Sequence, residues 1–127
     1  MNTKLLMTVS ALFLGIIGIF LSFLPEEIIN NSDVDGTVVT ILALQLMGAL
    51  YLGFGILNWM AKGSTIGGIF NKPIVIGNLM HFGVAAIVLF KIVFSVKIHT
   101  EIIIPLTIIY FVFALGFGYV FLTNPDK

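Results

Sequence analysis

The chain has 127 residues, of which 59% are hydrophobic and only 9% are charged, with six basic and six acidic side chains. Soluble domains contain about 25% charged residues, so this composition excludes a soluble fold and predicts an integral membrane protein. The zero net charge leaves no basic patch for nucleic acid. The lack of cysteine excludes disulfides and thiolate metal sites.

The first apolar segment covers residues 5–24, directly after Lys4. Its length of about 20 residues exceeds the roughly 7–15 apolar residues of a secretory signal, so we expect it to be retained as the first span. Small side chains share one face of this predicted helix, which indicates close approach of a neighbouring helix. They are Thr8, Ala11, Gly15, Gly18 and Ser22.

Three further apolar segments follow, at residues 37–60, 73–95 and 101–123. Each is long enough for the roughly 20 helical residues that cross a hydrocarbon core. Helix is required because every backbone polar group must be paired within lipid. The sequence therefore predicts an all-α integral membrane four-helix bundle that forms a single domain over residues 1–127.

Polar side chains lie on one face of the second and third spans, at depths where they are costly in lipid. Two interpretations stay open, a ligand or permeation site and a set of hydrogen bonds that hold helices together. The candidate residues are Gln45, Tyr51, Asn58, Trp59, Asn78 and His81.

The loop between the second and third spans contains glycines, hydroxyl groups and two lysines. Lys62, Ser64 and Lys72 are candidates for binding an anionic lipid headgroup or a phosphate. The alternative is an interfacial turn whose lysines only follow the positive-inside rule.

The lysines also predict orientation. Lys4, Lys62, Lys72 and Lys127 fall on one side of the predicted membrane, whereas Lys91 and Lys97 fall toward the other. This asymmetry favours both termini in the cytoplasm.

Catalytic and metal-binding chemistry finds little support. His81 and His99 are the only histidines and lie at different depths, and no carboxylate lies in the interior of any predicted span. A serine or threonine nucleophile needs a base and a carboxylate that orients it. We therefore predict no catalytic residue, no metal site and no cofactor.

Three stretches carry a resemblance to known proteins: residues 23–27, residues 44–60, and residues 77–82 with the sequence Gly-Asn-Leu-Met-His-Phe. They resemble small uncharacterised four-span bacterial membrane proteins, DoxX-like in layout. The resemblance implies a four-span protein of the bacterial inner (plasma) membrane. It implies no defined activity and assigns no functional residue.

Three functions are consistent with these observations. The first is a non-enzymatic inner-membrane protein that works as a homo-oligomer or as an accessory subunit of a larger membrane complex. The second is a small channel or transporter with a polar path through Gln45, Asn58, Asn78 and His81. The third is a protein that binds membrane lipid or quinone near His81, Trp59 and the glycine-rich loop.

Overall fold

The computed structural model describes residues 2–66 and 68–123, and these residues form five α-helices and no strand. The helices are α1 (Thr3–Phe23), α2 (Pro25–Asn30), α3 (Val38–Ala61), α4 (Lys72–Ser95) and α5 (Thr100–Thr123), with a 3₁₀ turn at Ile69–Asn71. Four of them are long and apolar enough to cross a membrane. The predicted all-α fold with four spans is confirmed, and every predicted boundary lies within two residues of a helix end.

Prolines and one capping threonine explain several of these boundaries. Pro25 opens α2, a short helix that the polar composition of this segment did not predict. The Thr37 side chain accepts a hydrogen bond from the Thr40 backbone N–H at 3.2 Å and caps the start of α3. Pro73 lies in the first turn of α4, where its missing N–H costs no hydrogen bond. Pro105 lies inside α5.

The chain divides into two compact units. The α1–α3 unit comprises Met7–Gly63, and the α4–α5 unit comprises Met1–Leu6 together with Ser64–Lys127. The single domain expected from the sequence stays a prediction, because compact units of this size occur within one domain as well as in two.

In the α1–α3 unit, glycines let the two long helices run antiparallel in close contact. A Cβ built on Gly18 would lie 2.8 Å from the backbone N of Leu52 and 3.0 Å from the carbonyl O of Gly48. Farther along the same contact, a Cβ on Gly55 would lie 3.0 Å from the backbone N of Gly15. The small-residue face predicted for the first span is therefore confirmed as a close helix contact.

The α4–α5 unit is held together by an aromatic cluster around Phe82 of α4. The Phe82 ring is fully buried, and its centroid lies 5.3 Å from that of Tyr110, 4.7 Å from that of Phe113 and 5.8 Å from that of Phe117. The three α5 residues recur at spacings of three and four, so they form one face of the helix.

The first turn of α1 belongs to the α4–α5 unit, although the rest of the helix does not. Leu6 packs against α5 at Gly116, where a Cβ would lie 3.0 Å from Leu6 Cδ1. α1 therefore contributes to both units.

Candidate functional site

A buried hydrogen-bonded pair joins α1 and α3 within the α1–α3 unit. The Asn58 side-chain amide donates to the Ser10 hydroxyl at 3.0 Å, and that hydroxyl donates to the Met7 carbonyl at 3.1 Å. Both polar side chains are fully buried. Of the two interpretations of Asn58, this geometry favours the hydrogen bond between helices.

The sequence does not indicate that Ser10 is the partner of Asn58. It lies beside the small-residue face of α1, and a serine inside an apolar span carries no sign of its partner on another helix. The length of the intervening segment alone does not fix which residues of α1 and α3 meet.

A second feature of the same unit is an apolar groove between α1 and α3, about 300 Å³ in volume. It runs along residues 11–19 of α1 and residues 52–59 of α3. Its lining consists of two glycines, one alanine, one tryptophan and the isoleucines and leucines of both helices. The lining residues are Ala11, Leu12, Gly15, Ile16, Ile19, Leu52, Gly55, Ile56 and Trp59.

Trp59 closes one end of the groove and is 47% exposed. The Lys62 ammonium nitrogen lies 3.0 Å from the centroid of the Trp59 ring, which is a close cation–π contact. Lys62 also occupies the C-cap position, directly after the last residue of α3. The structure therefore brings together one predicted ligand residue and one predicted headgroup residue at the mouth of the groove.

The other candidates of α3 lie elsewhere along the helix. Gln45 is exposed, and Tyr51 is half-buried. Gln45 and Asn58 are separated by about 20 Å along the helix axis at 1.5 Å per residue. The polar face predicted for α3 is too broad, because Gln45 and Trp59 are exposed while Gly48, Gly55 and Asn58 are buried.

In the α4–α5 unit, Asn78 is fully buried and its amide donates to the Ile74 carbonyl one turn earlier at 2.9 Å. His81 is half-buried against the aromatic cluster, with its ring centroid 4.9 Å from that of Phe82 and 5.8 Å from that of Tyr110. These two candidates share one face of α4.

The remaining headgroup candidates also belong to the α4–α5 unit. Ser64 is exposed, and the Lys72 ammonium nitrogen lies 5.1 Å from the Phe121 ring centroid. The Asn71 amide donates to the Thr65 carbonyl at 3.1 Å and stabilises the loop before α4.

Within residues 2–66 and 68–123, no group of three or more histidines and carboxylates lies close enough to hold a metal ion. At the start of α5, the Nδ1 of His99 lies 3.7 Å from the Oε1 of Glu101.

Comparison with protein-family models, with curated proteins and with solved structures finds no match for this chain. The DoxX-like resemblance therefore stays an expectation, and a functional proposal must be built from the geometry.

Proposed function

We propose that this chain is a non-enzymatic integral membrane protein that binds phospholipid, with one acyl chain seated in the groove between α1 and α3. The observation that carries the proposal is the almost entirely apolar lining of this concave surface. An acyl chain needs only apolar contact, and a concave surface offers it more contact than a convex helix face does.

The length of the groove favours a lipid over a partner helix. The lining residues span about 12 Å along α1 and about 11 Å along α3, at 1.5 Å per residue. One leaflet is about half of the 30 Å hydrocarbon core. The groove therefore matches the acyl chain of a lipid in a single leaflet, whereas a transmembrane partner needs a face that crosses both.

The lining chemistry favours an acyl chain over a quinone. A quinone head presents two carbonyl oxygens, and buried carbonyls require hydrogen-bond donors. The Trp59 indole is the one side-chain N–H among the lining residues. The indole side chain is typical of the membrane–water interface, where the polar end of a lipid lies.

In the predicted orientation, the α3 residues that line the groove would lie in the cytoplasmic leaflet of a bacterial inner membrane. Lys62 follows α3 directly and lies on the lysine-rich side of the predicted membrane. The end of the groove that Trp59 closes would then face the cytoplasm.

A second candidate function is an accessory subunit or homo-oligomer. A Cβ built on Gly15 or on Gly53 would meet no atom within 4 Å, so both positions leave the helix backbone open to a neighbouring helix. A partner helix at Gly15 would compete with lipid for the groove. The channel hypothesis has no comparable observation in its favour, because Asn58, one of its candidates, is fully buried and bonded to Ser10.

Fluorescence quenching of Trp59 tests the lipid proposal directly. Trp59 is the single tryptophan of the chain and lines the groove, so all tryptophan emission comes from this position, and the comparison of variants isolates the contribution of the groove. In vesicles of phosphatidylcholine with brominated acyl chains, we expect strong quenching of Trp59 emission in the wild type. We expect weaker quenching in Gly15→Leu, because the new leucine side chain fills the groove. The matched control is Gly53→Leu, which adds the same side chain at an equally open position outside the groove.

The outcome that contradicts the proposal is equal quenching in wild type, Gly15→Leu and Gly53→Leu. A change of oligomeric state in Gly15→Leu without a change in quenching would instead favour the accessory-subunit function. Helical content by circular dichroism confirms that both variants fold.

A further inference from the structure

We propose that the groove selects an anionic phospholipid, because Lys62 is held on the Trp59 ring where the phosphate of the bound lipid would lie. This inference rests on the proposed function and names the class of lipid. It uses only residues of the α1–α3 unit.

The position of the Lys62 ammonium is the first step. A lysine at the end of a membrane helix ordinarily extends toward water. Here its nitrogen lies 3.0 Å from the centroid of the Trp59 ring, and Trp59 lines the groove. The contact therefore keeps the positive charge beside the mouth of the groove.

The charge at this site remains available to a ligand. A cation–π contact attracts the ammonium through the ring quadrupole but does not neutralise it. Residues 11–19 and 52–59, which contain all the lining residues, include no acidic side chain. A phosphate at the groove mouth would thus complete an ion pair that the described residues, 2–66 and 68–123, do not supply there.

The position of Lys62 at the end of α3 makes its positive charge necessary for binding an anion. Lys62 occupies the C-cap position of the helix, where carbonyls that lack an intrahelical partner carry the negative end of the helix dipole. These carbonyls disfavour an anion. The preference for an anionic lipid therefore depends on the ammonium of Lys62, and replacing it should remove the preference rather than only weaken it.

The same fluorescence assay measures headgroup selectivity. Brominated phosphatidylglycerol or brominated phosphatidylcholine is titrated into unbrominated phosphatidylcholine vesicles, and Trp59 emission is divided by that in the matching unbrominated lipid. A single lysine near the membrane surface contributes about a five-fold preference for anionic lipid. We expect that preference in wild type and near-equal binding of the two lipids in Lys62→Gln.

Lys72→Gln is the matched control. It removes the same charge from the same predicted side of the membrane, but Lys72 lies near Phe121 rather than Trp59. We expect this variant to keep the preference for phosphatidylglycerol. Equal loss of the preference in both lysine variants would overturn the inference, because the general positive charge of the surface would then explain it. The absence of any preference in the wild type would overturn it as well.

Failure of this inference is distinguishable from failure of the proposed function. If Gly15→Leu reduces quenching by brominated phosphatidylcholine while Gly53→Leu does not, the groove binds lipid whatever its headgroup preference. If the Gly15→Leu and Gly53→Leu variants behave alike, the groove itself is not a lipid site.

Discussion

At the scale of single residues, the Asn58–Ser10 contact shows how polar groups are accommodated in lipid. The Asn58 amide donates to the Ser10 hydroxyl, and that hydroxyl in turn donates to a carbonyl of its own helix. If Asn58 is removed, the Ser10 hydroxyl keeps its bond to Met7. Loss of this hydrogen bond therefore lowers the free energy of unfolding by less than a buried donor left without an acceptor would.

A double-mutant cycle measures the strength of this pair. With Ser10→Ala, Asn58→Ala and the double variant, we expect a coupling free energy of about 0.6 kcal/mol, the average for hydrogen bonds between membrane helices. Unfolding in mixed micelles with increasing denaturing detergent provides the measurement.

Ser22 supplies the control cycle for this prediction. Its Oγ is buried and, among the described residues, has no hydrogen-bond partner. Ser22→Ala should therefore leave stability nearly unchanged and show no coupling to Asn58→Ala. A coupling between Ser10 and Asn58 no larger than this control would mean that the two side chains are neighbours without a stabilising bond.

At the scale of elements, the contact between α1 and α3 depends on the absence of side chains at a few positions. A Cβ on Gly18 would press against backbone atoms of Leu52 and Gly48, at 2.8 Å and 3.0 Å. Backbone atoms of a packed helix cannot rotate away as a side chain does, so the helices must separate.

We therefore expect Gly18→Ala to destabilise the protein by about 2 kcal/mol, within the range for overpacked cores. Gly53→Ala lies on α3 with no atom within 4 Å of its new Cβ. It should leave stability unchanged or raise it, because alanine favours helix over glycine. Detergent unfolding of both variants tests this, and equal stability of the two would contradict the close contact.

The sequence predicts a helix well where a long apolar run gives its length and a proline or polar run marks its end. All four spans are found within two residues, because about 20 apolar residues and a proline or polar run define each one. α2 is missed because its six residues, Pro25–Asn30, are too few and too polar to show a helical period.

The groove lies beyond what the sequence predicts. Its lining residues are ordinary lipid-facing side chains of two helices, and only the register and crossing of α1 and α3 make them concave. Trp59 and Lys62 are recognised as candidates from the sequence, but their contact depends on the side-chain conformations at the end of α3. Ser10 is invisible for the same reason, since its partner is set by register.

At the scale of the whole molecule, the arrangement of lysines predicts the topology. A reporter fused after the C-terminus should be active only if it works in the cytoplasm, because Lys4, Lys62 and Lys72 fall on the same predicted side. Paired fusions, one to a reporter active in the cytoplasm and one to a reporter active outside it, provide the measurement. Activity of the external reporter would invert the predicted orientation and move the groove to the outer leaflet.

The division of α1 between the two units has a consequence for biogenesis. Residues 7–63 are contiguous, so their mutual contacts can form as soon as the second span has left the ribosome, in keeping with the N-terminal-first order of synthesis. Leu6, in contrast, packs on Gly116 in the last span. The first turn of α1 precedes the rest of the helix in the chain and yet reaches its native neighbours later, because the contact with Gly116 requires α5 to have been inserted.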